Sequence, residues 1–437
     1  MIVSLDSLAK RAMLLAGCAL GAAVMIYSAT KLTVAWNRMD SNDPAKMNSA
    51  IHLEPGYAEY WDRMGRFLQF QLDDQDLPGA LKDYEMAVKL SPQTARYWVD
   101  LAVVHENLGD AQQARSDFAQ ALAAYPASAE IRWEYANFLL RQGELPRALA
   151  EMNKSISADP TLLQLAITRT WRATGDADQL AEDVLPREAG AYIKALDFFA
   201  QEQNVDAGLR IWNHLAELHQ PFPLDSLFPF FQEMIRENRS VDAERVWYEA
   251  LDACGEPYDK SREQLVFNGG FENDILNGGL DWRVSPAVGM AVEYDTVVRH
   301  GGARSLRMDF NGGVNLNLEE PEQFIPVESN ALYVFHAYLR TDSITTESGI
   351  HFEIFDANNQ DALSAKTEEL TGTHLWTAVQ AEVRTGASTK FLEVMLRRAP
   401  SRMFESKLSG TVWIDDVTLD RASGGDSADA TGRRGAR

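Results

Sequence analysis

Two carboxylates on one face of a site can hydrolyse a glycosidic bond, one as acid and the other as base or nucleophile. Glu353 and Asp356, in Glu353-Ile354-Phe355-Asp356, are the nearest such pair in this chain. On a strand with Ile354 in the core they fall on opposite faces and cannot flank one bond. The eight histidines show no metal-ligand spacing, and neither a glycine-rich phosphate loop nor a nucleophile elbow is present. Cys18 and Cys254 are the only cysteines, which leaves no disulfide framework and no cysteine zinc site. The chain reads as a non-enzyme, and its candidate functional residues are those of binding surfaces.

Charge narrows the partners. With 64 acidic against 41 basic residues the net charge is −23, which repels phosphate backbones and argues against nucleic acid. A neutral, cationic or calcium-bridged ligand fits that field better. At 437 residues the chain is long enough for two to four cores.

Residues 12–30 carry no charge, and 19 residues at about 1.5 Å each give roughly 28 Å, close to the hydrocarbon thickness of a bilayer. Lys10 and Arg11 precede this stretch. The expected arrangement is a cytoplasmic leader (1–11), a transmembrane signal anchor (12–30) and a body exported across a bacterial inner membrane into the periplasm. Lys31 and Arg38 on the far side oppose it. Leu15-Ala16-Gly17-Cys18 also resembles the lipobox of bacterial lipoproteins, which implies an alternative in which the chain is cleaved and acylated at Cys18. A cleaved soluble form is the third reading.

The next segment repeats every 34 residues. Ala80, Ala114 and Ala148 keep that interval, as do Tyr84, Phe118 and Met152, then Ala87, Ala121 and Ser155, and Pro92, Pro126 and Pro160. Alanines let paired helices approach, the bulky residue four later fills the gap, and proline stops the second helix. With Trp61 and Trp98 early in the repeat and Gly109 and Gly143 at the turns, the pattern resembles the tetratricopeptide repeat (TPR). Arg132 stands where the third tryptophan would be, and the first repeat carries about three extra residues at 71–77. Met47, Ala50 and Pro55 fit the second helix of a preceding half repeat. The resemblance implies repeats over 44–160 and degenerate hairpins over 161–258 that cap the solenoid, with a break at Pro221-Phe222-Pro223-Leu224. The concave face would display Glu59, Asp62, Arg66, Arg96, Val99, Val103, Glu106, Trp133, Asn137 and Leu140 to an envelope or membrane protein. Of these, Arg66, Arg96, Val103, Trp133 and Asn137 are the expected contact set, and Trp133 is equally readable as inter-repeat packing.

Past residue 259 the spacing becomes alternating, with short apolar runs at 265–271, 303–310, 333–340, 350–356, 376–384, 390–397 and 412–419. Asn268-Gly269-Gly270-Phe271-Glu272, Gly279-Leu280-Asp281-Trp282 and Trp413-Ile414-Asp415-Asp416-Val417 are similar to the family 4/9, galactose-binding-like carbohydrate-binding modules. That resemblance implies a jelly roll over 264–420 and a structural calcium ion on Glu272, Asp415 and Asp416, unless these carboxylates only cap turns. Strand parity puts His336, Tyr338, Arg340, Glu353, Phe355, Trp376, Gln380 and Arg397 outward. If those strands share a sheet, they form an aromatic platform for a polysaccharide; otherwise they are a solvated face or a docking face for the helices. The tail, 421–437, has the composition of a disordered segment. The expected fold class is multidomain α + β: an N-terminal transmembrane helix, an all-α TPR-like solenoid and a C-terminal all-β jelly-roll sandwich.

Overall fold

A computed structural model describes residues 7–41, 43–71, 75–258 and 264–422. Residues 423–437 of the expected tail and 1–6 of the leader lie outside the described residues, and Arg421, expected to begin the tail, ends a strand instead. The chain divides into two units, Met1–Ala173 and Thr174–Arg437.

The first unit begins with α1 (Leu8–Met39), capped by the Ser7 side chain, which accepts from the Lys10 N–H. Among the described residues it is the one helix long and apolar enough to cross a membrane or serve as a signal sequence. It does not stop at residue 30. Its final turns bury Ala35 and Met39 against Met47, Ala50 and Ile51 of α2 (Pro44–Leu53) and Tyr60 and Met64 of α3 (Ala58–Phe70). The cations past the apolar stretch are occupied by the same helices: Lys31 pairs with Glu54 at 3.0 Å and Arg38 bonds Ser49. The half repeat centred on Met47 and Ala50 therefore finds its partner helix in the end of α1.

Hairpins follow in order: α3 with α4 (Leu77–Leu90), α5 (Ala95–Asn107) with α6 (Ala111–Ala124), and α7 (Ala129–Arg141) with α8 (Leu145–Ala158). The period seen in sequence is a packing period. Ala80, Ala114 and Ala148 are fully buried, and so are Tyr84, Phe118 and Met152. Ser155, where the earlier repeats have alanine, is equally buried and donates its hydroxyl to the Ala129 carbonyl at 2.8 Å. Gly109 and Gly143 turn the chain at φ +84° and +76°, a left-handed conformation that favours glycine. A short helix, α9 (Leu163–Thr174), ends the unit.

The second unit opens with α10 (Ala177–Gln179), which runs on as a π-helical turn. Two hairpins come next, α11 (Ala189–Gln201) with α12 (Val205–Leu218) and α13 (Phe228–Arg236) with α14 (Ser240–Cys254). The proline-rich stretch at 221–224 joins them. A sandwich of two antiparallel sheets follows. One sheet has the order β1 (Met290–Asp295), β2 (Ser305–Asn311), β9 (Ser409–Arg421), β4 (Leu332–Ile344), β7 (Gly372–Arg384). The other runs β3 (Glu322–Pro326), β8 (Phe391–Arg397), β5 (His351–Asp356), β6 (Ser364–Lys366). Phe335 and Phe352, one from each sheet, meet in the core with ring centroids 5.0 Å apart.

The expected strand at 265–271 is absent. That segment is a series of turns, with Asn268 and Phe271 at positive φ, and its apolar residues Val266 and Phe271 close one end of the core as plugs. The final helices and the sandwich form one unit because the chain makes a close approach there. A Cβ on Gly278 would lie 2.2 Å from the Phe228 ring of α13, and one on Gly279 only 2.0 Å from the Trp247 ring of α14. Asn358 adds hydrogen bonds to the Ile235 carbonyl (2.9 Å) and Asn238 side chain (2.7 Å).

Candidate binding surfaces

In the repeat unit a groove of about 770 Å³ opens between α3, α5 and α7. Arg96, Val99, Asp100 and Val103 of α5 form one wall, Ile131 and Glu134 of α7 the other, and Phe70 and Tyr125 flank them. Of the expected contact set, Arg96 and Val103 line this groove. Arg66 is not among its lining residues and is bonded to the fully buried Asp62 at 2.6 Å, 3.6 Å from Asp100. Arg96 reaches Asp100 at 3.8 Å.

Asp100 was not foreseen as a site residue, since an aspartate four positions after an arginine looks like a surface helix pair. In the fold it is held against a second carboxylate. Asp62 Oδ1 and Asp100 Oδ2 are buried oxygens with no hydrogen-bond donor. Burial first, and the facing Asp62 second, push the Asp100 carboxyl up to about 7. Asn137 is buried and turned on its own helix, its Nδ2 donating to the Trp133 carbonyl at 2.9 Å. Trp133 itself is half-buried.

On the sandwich the parity reading of β4 holds: Tyr333, Phe335 and Leu339 are buried, while His336, Tyr338 and Arg340 sit half-buried on the other face. The one-sheet assumption does not hold. His336, Tyr338, Arg340, Trp376 and Gln380 belong to the five-stranded sheet, whereas Glu353, Phe355 and Arg397 belong to the four-stranded sheet. Alternation tells which side of a strand a residue takes, not which sheet the strand joins. The second group is an ion network instead: Arg397 Nε lies 3.1 Å from Glu353 and also pairs with Glu319. Asp356 is buried and accepts from Thr389, away from Glu353, as the opposite-face reading required.

The face of the five-stranded sheet is rich in aromatic contacts. His300, which the sequence did not single out, stacks on Tyr338 at 3.6 Å and meets Trp376 edge-on at 5.7 Å. Trp413 lies opposite Arg340 in register, with the guanidinium 5.5 Å from its ring centre, and its Nε1 donates to Asp295 at 2.9 Å. Gln380 is exposed and pairs with His336 across the strands.

The carboxylates expected to hold calcium are engaged with protein donors. Asp415 accepts from the N–H groups of His300 (2.7 Å), Gly301 (3.1 Å) and Asp416 (2.8 Å). Glu272 accepts from the Ala303 N–H at 2.8 Å, and Asp416 bonds the His300 ring at 2.6 Å. Among the described residues no group of three or more His, Cys, Asp or Glu is arranged to hold a metal ion. The hydrogen bonds above are those of carboxylates that cap turns; calcium would draw its six to eight oxygen ligands from carboxylates, backbone carbonyls and waters together.

Residues 71–115 and 105–162 match the family model of the tetratricopeptide repeat. The N-terminal half thus contains TPR repeats, a class of module that mediates protein–protein interaction. Among solved structures the chain is similar to YrrB, titled a TPR protein with an unusual peptide-binding site. Identity is 15%, coverage is 48% of this chain and 93% of that one, and the TM-score is 0.25. No curated protein matches the chain.

Proposed function

We propose that this protein is a non-enzymatic, membrane-anchored scaffold. In this reading α1 spans a bacterial inner membrane, the repeats hold a segment of an envelope protein on the periplasmic side, and the sandwich contacts a polysaccharide during envelope or exopolysaccharide assembly. The observation that carries the anchoring role is the construction of α1. Its apolar stretch is exposed, and the same helix then enters the repeat core at Ala35 and Met39 without a break. A bilayer would cover the exposed length and leave the groove at a fixed distance from the membrane surface.

The polysaccharide role rests on Trp376 and Tyr338, half-buried on the same face as Arg340 and the exposed Gln380, with Trp413 buried beneath Arg340, since sugar recognition joins aromatic faces to side chains that bond hydroxyls. One contact favours a second reading, in which the sandwich is a protein-docking module without a sugar ligand. His300 already covers one face of Tyr338. A glycan array probed with the full chain in detergent separates the two. The first reading expects specific retention that Trp376→Ala abolishes with an unchanged unfolding midpoint; the adaptor reading expects no retention by either protein.

A further inference from the structure

The groove between α3, α5 and α7 combines an apolar lining with a surplus of buried acceptors. Val99, Val103 and Ile131 supply the apolar wall. Asp100, Glu130 and Glu134 face the space, where Arg96 is the one lining cation; it is exposed and 3.8 Å from Asp100, and Arg66, outside the lining, is 3.6 Å from the same carboxylate. Beneath Asp100 the fully buried Asp62 directs Oδ2 to Arg66 and leaves its Oδ1 without a hydrogen bond, while Asp100 Oδ2 has only the long ion contacts, 3.6 Å to Arg66 and 3.8 Å to Arg96, and no hydrogen bond. Unsatisfied buried oxygens are costly, and each such group left without a donor costs about 1–3 kcal/mol. A ligand that brings several donors and no acceptor relieves them; lysine ammonium and arginine guanidinium are the side chains of that kind.

From this geometry we infer that the groove takes an extended partner segment with a lysine or arginine directed at Asp100, between apolar neighbours that rest on Val99, Val103 and Ile131. The inference deepens the peptide-holding role proposed above and names the chemistry of the partner. It is opposite in sign to a groove that clamps a peptide carboxylate, which would need cations in surplus. The acceptor pair is also held near its point of ionisation, because burial and the facing Asp62 raise Asp100 to about 7. A cation arriving there displaces a shared proton, and binding strengthens as pH rises from 6 to 8. The groups around the pair are Asp62 and Arg66 on α3, Tyr84 on α4 and Arg96 on α5.

The test is selection of a surface-displayed random octapeptide library by the detergent-solubilised full chain at pH 8. The expected result is enrichment of lysine or arginine at one position, about tenfold over the unselected library, with apolar residues beside it. Asp100→Asn should lose that enrichment. Glu134→Gln, at a half-buried position on the opposite wall, should weaken it without lowering the unfolding midpoint, which keeps the outcome readable if Asp100→Asn folds poorly. Enrichment of peptides with neutral or acidic residues at that position would overturn the cationic inference and leave peptide binding standing. Enrichment of no peptide at all would overturn both.

Discussion

At position 132 an arginine does a tryptophan's work. Trp61 and Trp98 each donate their ring N–H to the carbonyl of a proline six residues earlier, Pro55 at 2.9 Å and Pro92 at 2.8 Å. In the third repeat Arg132 donates to Pro126 at 2.8 Å and also pairs with Glu151 at 2.7 Å. The repeat therefore selects a donor at this position, and the aromatic ring is one way to carry it. Arg132→Ala should cost about 1 kcal/mol in urea unfolding, the usual net worth of one hydrogen bond. Arg132→Trp should be close to neutral; if it costs as much as alanine, the donor is not what the position requires. The period itself was legible because buried positions tolerate few residue types. Asp100 was not, because nothing in Arg96-Tyr97-Trp98-Val99-Asp100 says that Asp62, 38 residues earlier, will lie against it.

Among the elements, α1 carries two tasks in one helix. An apolar run of bilayer length could be read from composition, but its continuation to Met39 could not, since Lys31 and Arg38 look like a polar exit from the membrane. They are instead bonded by the next hairpin, Lys31 to Glu54 and Arg38 to Ser49. Met39→Ala should destabilise the repeat unit by about 2–4 kcal/mol, as removal of a buried large side chain does, whereas Met25→Ala, on the exposed stretch of the same helix, should leave that unit's unfolding unchanged. Equal effects would mean that the helix end is not part of the repeat core. Strand β8 shows the opposite limit of sequence reading. Its parity marks Glu393 and Met395 as outward, yet both are buried, on an inner strand flanked by β3 and β5 whose own outward residues are half-buried. Glu322, next to Glu393, is pushed up to about 7 by burial and then by that neighbour.

For the whole molecule the buried carboxyls set the pH response. Asp100, Asp281 and Glu322 are each raised to about 7 and Asp83 to about 6, in every case by burial first. Such groups bind a proton in the folded state over a range where the unfolded chain has released it, so stability is greatest below their unfolded values, near pH 4, and is lost as pH rises through 6 to 7. The unfolding midpoint should accordingly fall between pH 5 and pH 8. Asp100→Asn should flatten the response of the repeat unit by roughly one proton. A midpoint that rises over this range would contradict the burial of these acids. The acidic field of the full chain, at −23, suits a partner segment that carries positive charge.

The claim on which the account depends is that the groove holds an envelope protein while α1 sits in the membrane. Photo-crosslinking in living cells tests it directly, with a photoreactive residue at Val103 in the groove and, as control, at Gln120, exposed on α6. The account predicts one discrete adduct from Val103, recovered in the membrane fraction and lost when Asp100 is replaced by asparagine, and none from Gln120. Equal adducts from both positions, or none from Val103, would contradict it.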